Sequence, residues 1–316
     1  MIRAGIIGCG GIGKCHAPLI AQIPGVEITS VCDIIPRRVD RIAGWTGAKP
    51  YSDYLDLIDE VDVAWICTPE YAHHPMALTL LRAGKHVFCE KAMALTVAKA
   101  DEMIAVSREV NLILAIGYCL RFSDWMKKCK DVVDSGVLGD ITKVWTTRMG
   151  YFPGPNWYGT QALSGGMVTS QLTHNLDWMR AMAGDVEWAV ATGQTVTPEK
   201  TIFDNVSTLF GFKSGATGQA MTSWSSGAGW IDAGILGTKG VLRTTQMGPI
   251  SVHIIGQEPY AVEFEAVDPY LVEDTEFISC VREGRPYPLA LEEARESLAT
   301  GFAIERAART GQREYV

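Results

Sequence analysis

A glycine-rich segment near the start of the chain has the spacing that binds a dinucleotide diphosphate. Residues Gly8–Gly13 read G-C-G-G-I-G, a G-x-G-x-x-G motif that follows the apolar run Ile2–Ile7 and precedes a predicted helix. The first glycine permits a tight turn, the second lets the backbone approach a diphosphate, and the third lets the helix pack closely on the strand. Unpaired N–H groups and the positive end of the helix dipole then face the phosphates. The predicted phosphate-binding residues are Gly8, Gly10, Gly11, Ile12 and Gly13.

An acidic residue follows at the distance expected for a ribose contact. Asp33 ends the second predicted strand, about twenty residues after the glycine motif, where a carboxylate accepts hydrogen bonds from the adenosine ribose. Its negative charge would repel a 2′-phosphate, so the sequence favours NAD over NADP as the cofactor. Arg37 and Arg38 come shortly afterwards. They either form a solvated helix face or hold a 2′-phosphate, and Arg37 is included among the predicted cofactor-binding residues.

The elements that must position these residues alternate between strand and helix in the first third of the chain. The predicted strands are Ile2–Ile7, Val26–Cys32, Val61–Cys67, His86–Cys89 and Leu112–Ile116. Amphipathic stretches separate these strands, and this alternation predicts a parallel, doubly wound sheet with helices on both faces. We therefore expect an α/β protein whose dinucleotide-binding domain spans residues 1–118.

The chain becomes strand-rich after about residue 118, which predicts a second domain over residues 119–316. Its segments indicate an α+β domain on a largely antiparallel sheet. Apolar residues at helical spacing predict one internal helix over Gly165–Ala183. Two further helices, Val272–Arg282 and Leu291–Thr310, are predicted near the end of the chain.

Composition restricts the classes of partner. The formal net charge of -8 argues against nucleic acid and anionic membrane surfaces, and no apolar run approaches the roughly 20 residues of a membrane span. The 8 cysteines include no C-x-x-C pair, so we expect reduced thiols, no metal site and a cytoplasmic location.

Five segments, taken in order, carry a resemblance to a known family. They are Gly8–Gly13 with His16, Cys67-Thr68-Pro69 with His73, Ala83–Lys91 (A-G-K-H-V-F-C-E-K), Gly117-Tyr118 with Arg121-Phe122, and Gly165-Gly166 with His174 and Asp177. On these segments the chain resembles the Gfo/Idh/MocA family of oxidoreductases over almost its whole length. The resemblance implies a Rossmann domain and a second domain on an open sheet that binds the substrate and mediates oligomerisation. It also implies a homodimer or homotetramer formed through the C-terminal sheet.

The resemblance also implies an activity and a set of site residues. Family members oxidise a secondary hydroxyl of a sugar, polyol or inositol, or run the reverse reduction. The substrate expected here is therefore a small carbohydrate or polyol. The residues that the resemblance adds to the cofactor site are Thr68, Pro69, His73, Glu90, Lys91 and Arg121.

Two positions depart from the family pattern. Ala92 stands where the family usually has a proline after E-K, and we expect a trans peptide bond there because a cis bond before a residue other than proline costs roughly 2.5–4 kcal/mol. Ser170, followed by Gln171, stands where many members have an aspartate four residues before the histidine. The usual three-residue catalytic arrangement is therefore incomplete in this sequence.

The remaining residues suit hydride transfer with proton management. His174 is a suitable acid/base because its unperturbed pKa of about 6.5 lies near working pH. Lys91, as an ammonium, would stabilise a developing alkoxide and contact both cofactor and substrate. Ser170 and Asp177 lie on the same predicted helix as His174 and are candidates to contact or orient its ring. The predicted substrate-binding residues are Lys91, Trp157, Tyr158, Ser170, Gln171 and His174.

The aromatic side chains in that set belong to the loop Tyr151–Gly159. Aromatic faces beside polar groups suit sugar rings, whose faces are apolar and whose rims are polar. Asn156 in this loop, in place of a cluster of arginines, argues against a multiply charged substrate.

Two other functions remain open. One is a glycoside-cleaving or lyase enzyme that uses bound NAD transiently, which the serine at position 170 keeps open. The other is a non-catalytic dinucleotide sensor, against which the presence of both Lys91 and His174 argues.

Overall fold

The computed structural model describes residues 1–154 and 156–316, with Asn156 described by its backbone alone. Their contacts divide the chain into two compact units, Met1–Cys119 with Asp268–Arg295, and Leu120–Val267 with Glu296–Val316. The single division predicted after residue 118 differs from this grouping, because the segment at 268–295 clusters with the first unit. Helix packing is the reason, since the helix that begins at Pro269 packs against the helix that begins at Gly11.

The first unit is built on a six-stranded sheet. Its elements up to residue 117 are β1 (Ile2–Ile7), α1 (Gly11–Ile20), β2 (Val26–Cys32), α2 (Pro36–Thr46), β3 (Lys49–Tyr51), β4 (Val63–Ile66), α3 (His73–Arg82), β5 (His86–Glu90), α4 (Val97–Glu109) and β6 (Leu114–Gly117). Short 3₁₀ turns cover Tyr54–Glu60 and Glu70–Ala72. The strand order is β3-β2-β1-β4-β5-β6 and every pair is parallel. The predicted doubly wound parallel sheet is therefore confirmed.

This strand order places the loops after β1 and β4 together. The order reverses between these two neighbouring strands, and the carboxyl ends of the strands on either side form the crevice where α/β sheets bind ligands. Local signals set the flanking helices. Pro36 begins α2, where its missing N–H costs nothing, and the Thr96 side chain accepts from the Lys99 N–H at 3.2 Å to begin α4.

The second unit contains a nine-stranded mixed sheet and several helices. The remaining elements of the chain are α5 (Asp124–Asp134), β7 (Ile141–Tyr151), α6 (Gln161–Ser164), α7 (Thr173–Ala183), β8 (Val186–Gln194), β9 (Asn205–Phe212), β10 (Thr217–Ser223), β11 (Ser225–Gly237), β12 (Gly240–Thr244), β13 (Ile250–Ile254), β14 (Tyr260–Val262), α8 (Pro269–Glu283), α9 (Leu291–Thr310) and β15 (Glu314–Tyr315). Short 3₁₀ turns cover Cys119–Phe122 and Asn156–Gly159. The sheet order is β14-β13-β12-β11-β7-β10-β9-β8-β15, in which β7 and β10 pair in parallel and the other pairs are antiparallel.

One predicted element of this unit differs from the structure. The helix expected over Gly165–Ala183 instead begins as a π turn at Val168–Leu172 and becomes regular at Thr173, because Gly165 and Gly166 have φ values of +73° and +99°.

Two further observations concern cysteines and membrane spans. All eight cysteines are free thiols, and seven of them are buried. Among residues 1–154 and 156–316, no helix combines the length and the apolar character needed to cross a bilayer.

Candidate active site

The glycine motif forms a loop in which two glycines are required by close packing. Gly8 has φ +95°, and a Cβ atom on it would lie 2.6 Å from the carbonyl carbon and oxygen of Cys67. A Cβ on Gly13 would lie 1.9 Å from the carbonyl oxygen of Gly8. The loop after β1 therefore touches both the loop after β4 and the first turn of α1, as the motif predicts.

The other two glycines leave open space above the helix. A Cβ on Gly11 would have no neighbour within 4 Å, and one on Gly10 would meet only Arg38 Nη1 at 4.0 Å. Helix α1 begins at Gly11, so the N–H groups of its first turn, including that of Ile12, have no partner within the helix. Gly8 and Gly13 are tightly packed against the protein, whereas the N–H groups of the first turn of α1 face open space. This arrangement fits a diphosphate bound at the N-terminus of the helix.

Asp33 lies against the same loop. Its Oδ2 accepts a hydrogen bond from the Cys9 N–H and its Oδ1 one from the Ile35 N–H, both at 2.8 Å. Each oxygen keeps a further lone pair for a ribose hydroxyl. Arg38 approaches the carboxylate at 3.7 Å, whereas Arg37 is exposed. Of the two arginines, Arg38 is the one beside the predicted ribose position.

His73 connects the segments that follow β4 and β5. Its Nε2 lies 2.9 Å from the carbonyl oxygen of Thr68, which precedes Pro69, and its Nδ1 lies 2.8 Å from that of Ala92. Burial lowers the pKa of the imidazole, and the two carbonyls only partly oppose this shift. The ring is thus a support between the two segments, and its direct contact with a cofactor stays a prediction.

Strand β5 ends at Glu90, and the next residue is Lys91, which the sequence predicted for catalysis. Glu90 is buried, and its Oε2 accepts from the Lys91 N–H at 3.2 Å. Lys91 itself is half-buried. The prediction of a trans bond after Lys91 was wrong, since the Lys91–Ala92 bond is cis in the structure.

A buried chain of acid and histidine side chains lies behind Glu90. His16 Nε2 lies 3.1 Å from Glu90 Oε1, and His16 Nδ1 lies 2.9 Å from both carboxylate oxygens of Asp274. Sequence reasoning missed Asp274, because a contact across 258 residues leaves no local signal.

In the second unit, the predicted substrate residues Ser170 and Gln171 lie in the turn before α7, and His174 lies in the first turn of α7. Ser170 is buried and its hydroxyl donates to the Ser164 carbonyl oxygen at 3.2 Å. Gln171 and His174 are each half-buried. The π turn at 168–172 widens the helix at Ser170 and Gln171, as π turns often do beside functional residues.

Arg121 and Asp177 form a bidentate ion pair in the same unit. Arg121 Nε and Nη2 donate to the carboxylate of Asp177 at 2.6 Å and 2.8 Å. The Ser297 hydroxyl donates to the same carboxylate at 3.1 Å. The Asp177 carboxylate therefore accepts hydrogen bonds from Arg121 and Ser297. The sequence had offered it as a candidate to orient the ring of His174.

The aromatic loop of this unit forms a stacked cluster. The rings of Trp157 and Tyr158 stack with centroids 3.7 Å apart, and Tyr158 meets Trp224 edge-on at 5.8 Å. Phe152 packs on Trp224 from a second direction at 5.6 Å, with Lys200 Nζ 4.6 Å from its ring centre. Pro155 lies outside the described residues, as does the Asn156 side chain, which the sequence offered as an argument against a multiply charged substrate.

The predicted site residues are thus divided between the units. The first unit brings together the glycine loop, Asp33, Thr68, His73 and the Glu90-Lys91 pair at the carboxyl edge of its sheet. The second unit holds the aromatic cluster, the Arg121 pair and the helix with His174. Within the part of the chain that is described, no cluster of three or more His, Cys, Asp or Glu side chains is arranged to hold a metal ion.

Two family models match successive parts of the chain. Residues 2–118 match the family model described as an oxidoreductase family with an NAD-binding Rossmann fold, GFO_IDH_MocA. Residues 126–243 match the model of the GFO/IDH/MocA C-terminal domain.

Individual relatives extend the similarity over the whole chain. The chain is 28% identical to myo-inositol 2-dehydrogenase of Thermotoga maritima, with 96% of each protein covered. It is 30% identical to the uncharacterized oxidoreductase YrbE of Bacillus subtilis, covering 80% of this chain and 76% of the relative. Levoglucosan dehydrogenase in complex with NADH and levoglucosan shares the fold with a TM-score of 0.91 at 20% identity, over 100% of this chain and 99% of that one. The chain belongs to the Gfo/Idh/MocA family of oxidoreductases, and its first unit is the NAD-binding Rossmann fold of that family.

Proposed function

We propose that the protein is an NAD-dependent dehydrogenase that acts on a secondary hydroxyl of a sugar, polyol or inositol. One observation carries the proposal. The glycine loop and Lys91 lie at the same carboxyl edge of one parallel sheet, directly after β1 and β5, which are separated by β4. A lysine at this edge lies on the side of the sheet where the family's cofactor binds. The names of the inositol and levoglucosan dehydrogenases support the substrate class.

The cofactor, when bound, supplies the hydride acceptor, and the protein supplies position and proton transfer. Lys91 donates a hydrogen bond to the substrate oxygen and, as an ammonium, stabilises the negative charge that develops on it. His174 accepts the hydroxyl proton through its imidazole and returns it in the reverse reaction. Trp157 and Tyr158 offer an aromatic surface to the apolar face of a sugar ring, and Gln171 offers polar groups to its rim.

NAD is the proposed cofactor, in preference to NADP. Asp33 would receive the ribose hydroxyls, because its carboxylate already lies on the loop that would hold the diphosphate. A 2′-phosphate would meet this negative charge. The Arg38 guanidinium lies 3.7 Å from the Asp33 carboxylate and would reduce that repulsion. We therefore expect NADP to bind more weakly than NAD but not to be excluded.

Variants of the two proposed catalytic residues test the function. Lys91→Ala and His174→Ala should each lower kcat by about 10²–10⁴-fold, the range that one acid/base group contributes, while NADH still binds. Matched controls are Lys99→Ala and His253→Ala, since both side chains are exposed. Near-normal turnover in either site variant would remove that residue from the mechanism. Product formed without accumulation of NADH would support the redox-neutral lyase reading.

We also propose that the protein forms a homo-oligomer through the sheet of the second unit. Leu209, Trp230 and Leu236 are exposed by 54%, 54% and 42%. Strand pairing from β9 through β10 and β7 to β11 puts them on one face. A dimer or tetramer in sedimentation analysis that dissociates on Leu209→Lys supports this assembly, and a monomeric wild type contradicts it.

A further inference from the structure

A chain of three ionisable side chains runs through the interior of the first unit. It joins Asp274 on α8 to His16 on α1 and then to Glu90 at the end of β5. His16 contacts Asp274 at 2.9 Å on one side and Glu90 at 3.1 Å on the other. The side chains of His16 and Asp274 are 0% exposed and that of Glu90 is 5% exposed. Buried charges of this kind persist only when they are paired, so the charge of each of these three side chains depends on the other two.

Neighbouring groups hold the chain in one arrangement. The Trp65 indole N–H donates to Asp274 Oδ1 at 2.9 Å. The rings of Phe88 and Tyr270 each meet the His16 ring edge-on at 5.4 Å. His16 is therefore fixed in orientation, with both ring nitrogens directed at carboxylates.

The two contacts of His16 favour its protonated form. A neutral imidazole donates from one nitrogen only, so both carboxylates can accept from the ring as anions only when it is an imidazolium. Burial raises the pKa of the Asp274 carboxyl, and the charge and hydrogen bonds of His16 oppose this shift. Burial by itself lowers the pKa of His16, but the charge and hydrogen bonds of Asp274 and Glu90 outweigh it and raise that pKa well above the usual value. Other titratable groups interact with these three side chains, among them Glu273, Tyr270, Cys15, Cys67, Cys89 and Cys119. Burial raises the pKa of each of these groups and so favours its neutral form.

Glu90 links the side chain of His16 to the backbone of Lys91. One carboxylate oxygen of Glu90 faces His16 and the other accepts the Lys91 backbone N–H. Gly117 on the adjacent strand leaves little room, since a Cβ there would lie 2.8 Å from Glu90 Oε1. Glu90 is thus confined between β6, α1 and its own strand end.

We propose that His16 is a positioning residue that, as an imidazolium held by Asp274, fixes Glu90 and through it the backbone of Lys91. The inference rests on the proposed role of Lys91. Because His16 also lies on α1, the helix that begins at the glycine loop, one buried ion chain sets Lys91 relative to the predicted diphosphate site. Without the imidazolium, Glu90 would be a buried anion that lacks one hydrogen-bond donor. The backbone N–H of Lys91 would then lose the fixed position of its acceptor, the Glu90 carboxylate.

Kinetics of Asp274→Asn and His16→Gln test the proposal. Each variant should lower kcat at least tenfold at a temperature where it is fully folded, with KM for substrate and Kd for NADH changed less than threefold. Ile42→Val on α2 is the matched control, because it reduces core packing in the same unit at a site away from His16, Asp274 and Glu90. It should lower thermal stability and leave kcat intact. Wild-type kcat in folded Asp274→Asn would overturn the proposal.

Imidazole NMR gives a readout that does not depend on activity. In protein labelled at its six histidines, the His16 signal is the one lost in His16→Gln. It should remain that of an imidazolium between about pH 6 and pH 8, across the usual pKa of about 6.5, and should become neutral in this interval in Asp274→Asn. Titration of wild-type His16 near the usual value would overturn the proposal. Full activity of Lys91→Ala would instead refute the proposed function, and the NMR result would still decide the charge of the chain.

Discussion

Arg121 and Asp177 are joined by two hydrogen bonds, from Nε at 2.6 Å and from Nη2 at 2.8 Å. The pair connects the turn that follows β6 to helix α7, which carries His174. Asp177 is 1% exposed, and its third donor is the Ser297 hydroxyl on α9. A charge buried to this extent depends on its partner, so the pair is a structural support of the helix.

Loss of Arg121 should therefore destabilise the protein. Arg121→Ala leaves the Asp177 carboxylate buried without its cation, which typically costs 3–5 kcal/mol of the free energy of unfolding. Because the Arg121 side chain is 20% exposed, we expect a loss of about 3 kcal/mol, measured by urea unfolding. Arg41→Ala, at an exposed position, should change stability by less than about 0.5 kcal/mol. A loss below 1 kcal/mol in Arg121→Ala, the usual scale of an exposed pair, would refute the support role.

The third glycine of the loop should tolerate no side chain. Gly13→Ala places a methyl group 1.9 Å from the backbone of Gly8, so the loop must move, at a cost of about 1–3 kcal/mol and with weaker NADH binding. Gly44→Ala is the comparison, because its Cβ meets nothing within 4 Å on helix α2. That substitution should stabilise the protein by up to about 1 kcal/mol. NADH affinity and stability unchanged in Gly13→Ala would contradict the packing described for the loop.

Asp33 should decide the choice between NADH and NADPH. The wild type should bind NADH at least tenfold more tightly, equivalent to about 1.4 kcal/mol, as measured by fluorescence titration of each reduced cofactor. Asp33→Ser removes the charge and should bring the two affinities closer together, with Arg38 left to contact a 2′-phosphate. Equal affinities in the wild type would rule out the proposed ribose contact of Asp33.

Glu305 on α9 should make stability depend on pH. Burial raises the pKa of its carboxyl to about 7, although Arg309 at 3.7 Å partly opposes this. Since the folded pKa lies above the unfolded value of about 4.5, the native state binds this proton more tightly. The contribution of Glu305 to the free energy of unfolding is therefore fully present below about pH 4.5 and decreases by about 3 kcal/mol as the pH rises past 7.

Glu305→Gln removes that dependence. The difference in free energy of unfolding between variant and wild type should grow in favour of the variant between about pH 4.5 and pH 7. Thermal unfolding across this range measures it, and Glu109→Gln, at an exposed position on α4, serves as the comparison. A difference that stays constant with pH would show that Glu305 does not titrate in this range.

The parts of the site that the sequence predicted are those with local signals. The glycine loop, Asp33 and the strand before Lys91 follow from short-range patterns of turn residues and apolar runs, and the structure places them together at one sheet edge. Helix α9 was predicted with its observed limits, because Leu291–Thr310 repeats apolar residues at helical spacing.

The parts that were missed depend on contacts between distant residues or on backbone detail. The partners His16 and Asp274 are 258 residues apart in the chain, and Asp177 and Ser297 are 120 apart, so neither pair leaves a pattern in any short window. The positive φ at Gly166, which delays the start of the helix, also could not be inferred from composition, because a glycine is compatible with both conformations.

The most direct measurement of the central claim is turnover of a panel of sugars, inositols and glycosides with NAD, followed by the absorbance of reduced nicotinamide. The account predicts that at least one polyol or sugar yields NADH in equal amount to a ketone product. It also predicts that Lys91→Ala and His174→Ala each slow this reaction by about 10²–10⁴-fold while NADH still binds. Absence of NADH formation with every compound, or full activity in both variants, would contradict it.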